Sequence, residues 1–94
     1  MTKSELVDAV GDQCPNLPRK SIEAVVDTVF ESMMDAMGLG ERIEIRGFGS
    51  FSVRHHDARR GRNPRTGAPV DVPAKSTPHF TAGKQLRDRM NNGS

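Results

Sequence analysis

The sequence predicts an α+β domain in the order helix, helix, strand, strand, ribbon, strand, helix. Three observations carry that prediction. A long apolar pattern of helical period is confined to the first forty residues. Alternation of period two begins at Arg42. Between Val53 and Val70 there is no Val, Ile, Leu, Met or Phe, so that stretch cannot contribute to a core.

Thr2-Lys3-Ser4-Glu5 fits a capping box, with Thr2 as N-cap and Glu5 at the third helical position. The first helix is expected from about Lys3 to Gln13, with Leu6, Ala9 and Val10 on its inner face. Cys14 to Leu17 reads as a turn, and Pro18 suits the first turn of a second helix, where its missing N–H costs nothing. Ile22, Val25, Val26, Val29, Phe30, Met33 and Met37 keep helical spacing until Gly38 and Gly40 end the run. Arg42 to Arg46 then alternates as a strand, Gly47 turns the chain, and Phe48 to His55 forms a second strand with Phe51 and Val53 inward. Gly49 is expected to mark a bulge, because Phe48 is out of phase with Phe51. Hairpin punctuation follows in Asn63-Pro64-Arg65-Thr66-Gly67, with Val70 and Val72 alternating after it. This segment, residues 57–73, reads as a ribbon projecting into solvent, with limbs of about 8 residues and a reach of roughly 26 Å. The chain returns through Lys75 to Phe80, and Gly83 precedes a short third helix, Lys84 to Met90, with Leu86 and Met90 inward. Residues 1–94 read as one domain.

Composition narrows the class of function. Hydrophobic residues are 34% of the chain, Tyr and Trp are absent, and Phe numbers four, so the intrachain core is thin and a partner subunit is one remedy. The single Cys14 excludes an internal disulfide and fits a reducing cytoplasm. No apolar run is long enough to span a membrane, and the N-terminus has no cleavable apolar segment. Asn92-Gly93-Ser94 matches a glycosylation sequon, a chance match in an unsecreted chain. The net charge of +2 hides a strong asymmetry. Residues 1–41 carry three basic against eight acidic side chains, a net of −5, whereas residues 42–94 carry eleven against four, a net of +7. Such a split is expected of a chain with one side turned to a polyanion.

Arg59, Arg60, Arg62 and Arg65 cluster at the ribbon tip, opposed there by Asp57. Arginine suits phosphate forks and the narrow minor groove; the competing reading is a flexible basic loop. Pro64 at the tip is either an ordinary first central residue of a type I turn or an apolar wedge for a base step. The helices do not form a DNA-reading helix-turn-helix, because Glu23, Asp27, Glu31 and Asp35 make an acidic stripe along the second one. Glu44 and Arg46, two apart on a strand face, read as a surface ion pair. His55 and His56 read as exposed strand-end residues within reach of phosphate, and His79 as structural. Nothing has metal-ligand spacing, a phosphate-loop motif or a catalytic constellation, so no cofactor and no enzymatic activity are expected.

Gly40-Glu41-Arg42-Ile43-Glu44-Ile45-Arg46-Gly47-Phe48-Gly49-Ser50-Phe51, followed by Gly61-Arg62-Asn63-Pro64-Arg65-Thr66-Gly67, resembles the HU and integration host factor family of bacterial DNA-bending proteins. Met1 to Leu6, Pro78-His79-Phe80, Gly83-Lys84 and Leu86-Arg87-Asp88-Arg89 extend the resemblance over nearly the whole chain, and the integration-host-factor branch is the more similar. The resemblance implies an intertwined dimer with a helical base, formed with an alpha-type subunit of the family or with a second copy. It implies two β-arms around double-stranded DNA, a three-stranded antiparallel sheet and a short C-terminal helix. It implies that Pro64 intercalates, and that Arg59, Arg60, Arg62, Asn63 and Arg65 line the minor groove. Arg46 would help read sequence with Glu44 orienting it. Thr2, Lys3, Arg42, Lys75, Lys84 and Arg87 would meet phosphates, partly through helix N-termini. His55-His56-Asp57 and Ser76-Thr77 depart from the family pattern.

The implied function is bending of the duplex with some sequence preference, in the service of nucleoid organisation, recombination, replication and transcription. The alternative is an HU-type homodimer indifferent to sequence. An RNA or single-strand binder lacks stacking platforms, since Phe48, Phe51 and Phe80 are expected in the core. An assembly protein whose arm grips a partner is the remaining reading.

Overall fold

The structure is a computed structural model that describes residues 1–92; Gly93 and Ser94 of the sequon lie outside the described residues. The elements are α1 (Lys3–Gln13), α2 (Arg19–Gly38), β1 (Ile43–Ile45), β2 (Gly49–His56), β3 (Arg59–Arg62), β4 (Pro69–Val72), β5 (Lys75–Ala82) and α3 (Lys84–Asn92). The α+β order is therefore the expected one. By contact density the chain forms two units, one ending at Asp35 and the other beginning at Ala36.

In the first unit, Thr2 caps α1: its Oγ1 accepts the Glu5 N–H at 3.2 Å. The core is three side chains, Val7, Ile22 and Val26, with Leu6, Val10 and Cys14 packed around them. Of the expected inner face of α1, Leu6 and Val10 pack on the core, but Ala9 does not. Val7 is its centre and Ala9 is exposed, because Val7, Val10 and Cys14 follow one helical stripe. The apolar pattern of α2 exceeds what α1 can cover, since eleven residues make a helix only about 16 Å long against about 30 Å for twenty. Ile22 and Val26 are buried, while Val25, Val29, Phe30 and Met34 remain 41–64% exposed. The acidic stripe is partly paired: Asp27 accepts from Lys3 at 2.7 Å, and Glu23 accepts from Arg19, which also donates to Asp8. These bonds push both cations above their ordinary values, Lys3 through its bond to Asp27 and Arg19 through its bond to Asp8.

After α2 ends at Gly38, the positive φ of 78° at Gly40 closes the helix, with Gly40 N donating to Met37 O and Glu41 N to Ala36 O. The strands β1, β2 and β5 form an antiparallel sheet with β2 in the middle. Gly49 is not a bulge; it pairs with Ile45 on one side and Ala82 on the other. A Cβ there would lie 2.5 Å from Thr81 O and 2.6 Å from the Phe80 ring, so close approach is what requires glycine. Phe48 sits in the β1–β2 turn, which removes the apparent phase conflict. Its ring contacts Phe80 (centroids 5.4 Å) and Phe51 contacts Phe80 at 4.7 Å. This aromatic cluster is only half-buried, not buried as expected: Phe48 is 45% and Phe80 39% exposed. The third helix reaches Asn92, with Leu86 half-buried and Met90 exposed against expectation.

Candidate nucleic-acid interface

The register divides the three-stranded sheet into two chemically different faces. Ile43, Phe51, Val53, Pro78 and Phe80 share one, an apolar face that water disfavours. Glu44, Ser50, Ser52, Arg54, His56, Lys75, Thr77, His79 and Thr81 share the other. That second face is polar, and its hydroxyl-bearing side chains are small.

The ribbon is a separate two-stranded sheet of β3 and β4, with Arg59 paired to Val72 and Arg62 to Pro69. It is shorter than the sequence suggests. Asp57, Ala58, Pro73 and Ala74 fall outside the strands, so the ladder breaks between the sheet and the ribbon. Pro73 has no N–H to continue it. Each limb of four residues spans about 13 Å. The tip is well tied: Asn63 N donates to Ala68 O, Gly67 N to Asn63 O, and the Asn63 side chain accepts the Arg65 N–H at 2.8 Å. Thr66 Oγ1 accepts the Ala68 N–H, and Gly67 takes the left-handed φ of 73°. Asn63 is therefore a builder of the turn, and Pro64 stands exposed within it. Arg62 donates to Gly67 O at 3.0 Å, and Arg60 lies 3.5 Å from Asp71, a second acid on the ribbon besides Asp57. Arg59 and Arg65 have no ion pair among the described residues.

Glu44 does not pair with Arg46. It accepts from Arg42 at 3.1 Å, because Arg42, just before the strand, reaches back over the polar face toward Ser50. Arg46 is exposed beside Gly47 and lines a groove with Glu44, Ser50, Thr81 and Gly83. Lys75 opens β5 opposite His56. Lys84 and Arg87 lie on α3, whose start is fastened to the β1–β2 turn. Gly83 N donates to Phe48 O at 2.8 Å and Leu86 N to Gly47 O at 3.1 Å. Thr2 and Lys3 belong to the first unit, where Lys3 is occupied by Asp27. The structure brings Arg54, which sequence reasoning passed over, to His79, which it read as structural. Their signal was the period-two alternation that places Arg54 with Ser50 and Ser52.

A family model described as bacterial DNA-binding protein matches residues 1–91. The chain belongs to that family. Among curated relatives, integration host factor subunit beta of Halorhodospira halophila is 54% identical over 91 residues, covering 97% of this chain and 89% of its own. The corresponding subunit of Alkalilimnicola ehrlichii is 53% identical, covering 99% and 93%. Among solved structures, an Anabaena HU–DNA cocrystal structure matches with a TM-score of 0.80 and 39% identity, over 96% of this chain and 97% of that one. HU from Thermotoga maritima matches with a TM-score of 0.65 and 27% identity, over 96% and 98%. The family resemblance and the α+β fold read from the sequence both stand. Among the described residues, no helix is long and apolar enough to cross a membrane.

Proposed function

We propose that the chain is an architectural DNA-binding subunit that clamps the minor groove with its β3–β4 ribbon and bends the duplex. One observation carries the reading: a ribbon with no core of its own, bearing Arg59, Arg60, Arg62 and Arg65, ends on an exposed proline. Such a ribbon gains little by folding unless a surface receives it. In this reading residues 1–94 act as one bending domain, with the arm spanning 57–73. Pro64 enters a base step, and the arginines hold the groove. Thr2, Lys3, Arg42, Lys75, Lys84 and Arg87 meet flanking phosphates, and Arg46 reads a base edge. The bend lets more of the basic half touch DNA, which offsets an unstacking cost of a few kcal/mol per step. No reaction is catalysed. The setting is the bacterial nucleoid, where the bend brings distant sites together for recombination, replication and transcription.

The partner is an alpha-type subunit of the same family. The identity to beta subunits favours this over a homodimer indifferent to sequence. The exposed apolar stripe on α2 supports a dimer of either kind, because so much apolar surface is not left to water. Sedimentation of the purified chain at low micromolar concentration is expected to give a dimer. A cooperatively melting monomer overturns this. Gel-shift titration on A/T-tract and random duplexes tests the function itself. Binding to both with preference for one class is expected, and no shift at low salt refutes DNA binding.

Arg46→Ala is expected to cost about 1–3 kcal/mol of discrimination at one site position, more than it costs in bulk affinity. Equal losses on specific and random DNA would reduce Arg46 to a phosphate contact.

A further inference from the structure

The polar face of the sheet carries more titratable nitrogen than the groove-clamping ribbon needs. Arg54 Nη2 lies 3.0 Å from His79 Nε2. A guanidinium is only a donor, so in this contact Nε2 is the acceptor. One pair of residues along the same face, His56 Nε2 lies 3.3 Å from Thr77 Oγ1, a hydroxyl that serves either protonation state. Lys75 pairs across from His56, and β5 is an edge strand. On β1 the face carries Glu44, which is held by Arg42. Around the two imidazoles the sheet therefore presents Arg54, Lys75 and Arg42, with Glu44 as the carboxylate of that face. The remaining histidine differs. His55 points to the opposite face, and its ring contacts Ser76 and, at 3.3 Å, Asp57.

We propose that Arg54, His56, Lys75 and His79 form a phosphate ledge that takes up protons when DNA binds. This inference rests on the DNA-binding reading above. In the free chain Arg54 occupies the His79 acceptor. A phosphate oxygen set between them gives Arg54 a better acceptor and frees the imidazole nitrogen, which then gains a proton and donates to the same phosphate. His56 stands beside Lys75 on the same face, and there the Thr77 hydroxyl turns to accept when a phosphate draws a proton onto the imidazole. Each bound proton adds one positive charge under the DNA backbone. Affinity therefore rises as pH falls through the imidazole range, between about pH 8 and pH 5. His55 lies on the opposite face, away from this ledge.

The test is fluorescence anisotropy with a duplex of about 35 base pairs at pH 6, 7 and 8 and constant ionic strength, using the full-length protein. The wild type is expected to tighten by at least about tenfold from pH 8 to pH 6, linkage allowing up to about tenfold per pH unit for each proton fully taken up. The double variant His56→Gln, His79→Gln is expected to bind with little pH dependence, and His55→Gln to keep the wild-type slope. Calorimetry at pH 7 in buffers of different ionisation enthalpy counts the protons directly: net uptake in the wild type and none in the double variant. Binding that is unchanged between pH 6 and 8, or an equal slope in the double variant, overturns the proposal while leaving DNA binding intact. Absence of binding at every pH overturns the functional reading instead.

Discussion

Replacing Pro64 with alanine is expected to straighten the DNA in the complex while much of the affinity survives. The tip does not depend on the proline ring. Asn63 closes it through its side chain and both backbone groups, Thr66 accepts from Ala68, and Gly67 supplies the left-handed turn. If Pro64 served only the turn, Pro64→Ala would loosen the hairpin by up to about 1 kcal/mol through unfolded-state entropy. Bending would then fall only in proportion to binding. As a wedge, the ring holds a base step open, and its loss collapses the kink although the arginines still reach phosphates. Energy transfer between the ends of a duplex of about 35 base pairs, stiff by itself at that length, separates the two cases. The measurement belongs at saturating protein, so that weaker binding is not mistaken for weaker bending. An unchanged end-to-end distance in the variant complex would make Pro64 a turn residue.

The second large effect is salt dependence. If a dimer neutralises about 8 phosphates, the slope of log K against log salt is roughly −7. Affinity then falls by about four orders of magnitude between 50 and 200 mM salt. The ion pairs of the first unit do not supply this. Arg19 is already engaged with Asp8 and Glu23, and Lys3 must leave Asp27 before it can meet a phosphate. The basic residues from Arg42 onward carry the slope, with few acids to quench them. Filter binding or anisotropy across that salt range measures it. A slope near zero means that the basic half is not a DNA surface.

Much of this was legible because it depends on local pattern. The Thr2 cap, the limits of α1, the alternation from Ile43 and the coreless segment after Val53 each follow from a few adjacent residues. The failures occurred where the placement of a side chain, and not its spacing, decides. Val7 displaced Ala9 from the core because the position of α2 sets which stripe of α1 is inward. Glu44 took Arg42 and not Arg46, because a side chain just outside the strand folds back over its face.

By itself the sequence determined the family, the element order, the acidic and basic halves, and the proline-tipped ribbon. These are properties of residue type and spacing along the chain. Only the tertiary structure decided which groups meet across strands. The β2–β5 register puts Ser52 opposite His79 and so brings Arg54 within hydrogen-bond distance of it, although they are 25 residues apart. It also set Gly49 beneath Phe80. A shift of one residue in that pairing would send every side chain of β2 to the opposite face, and no local pattern around Arg54 or His79 specifies the pairing.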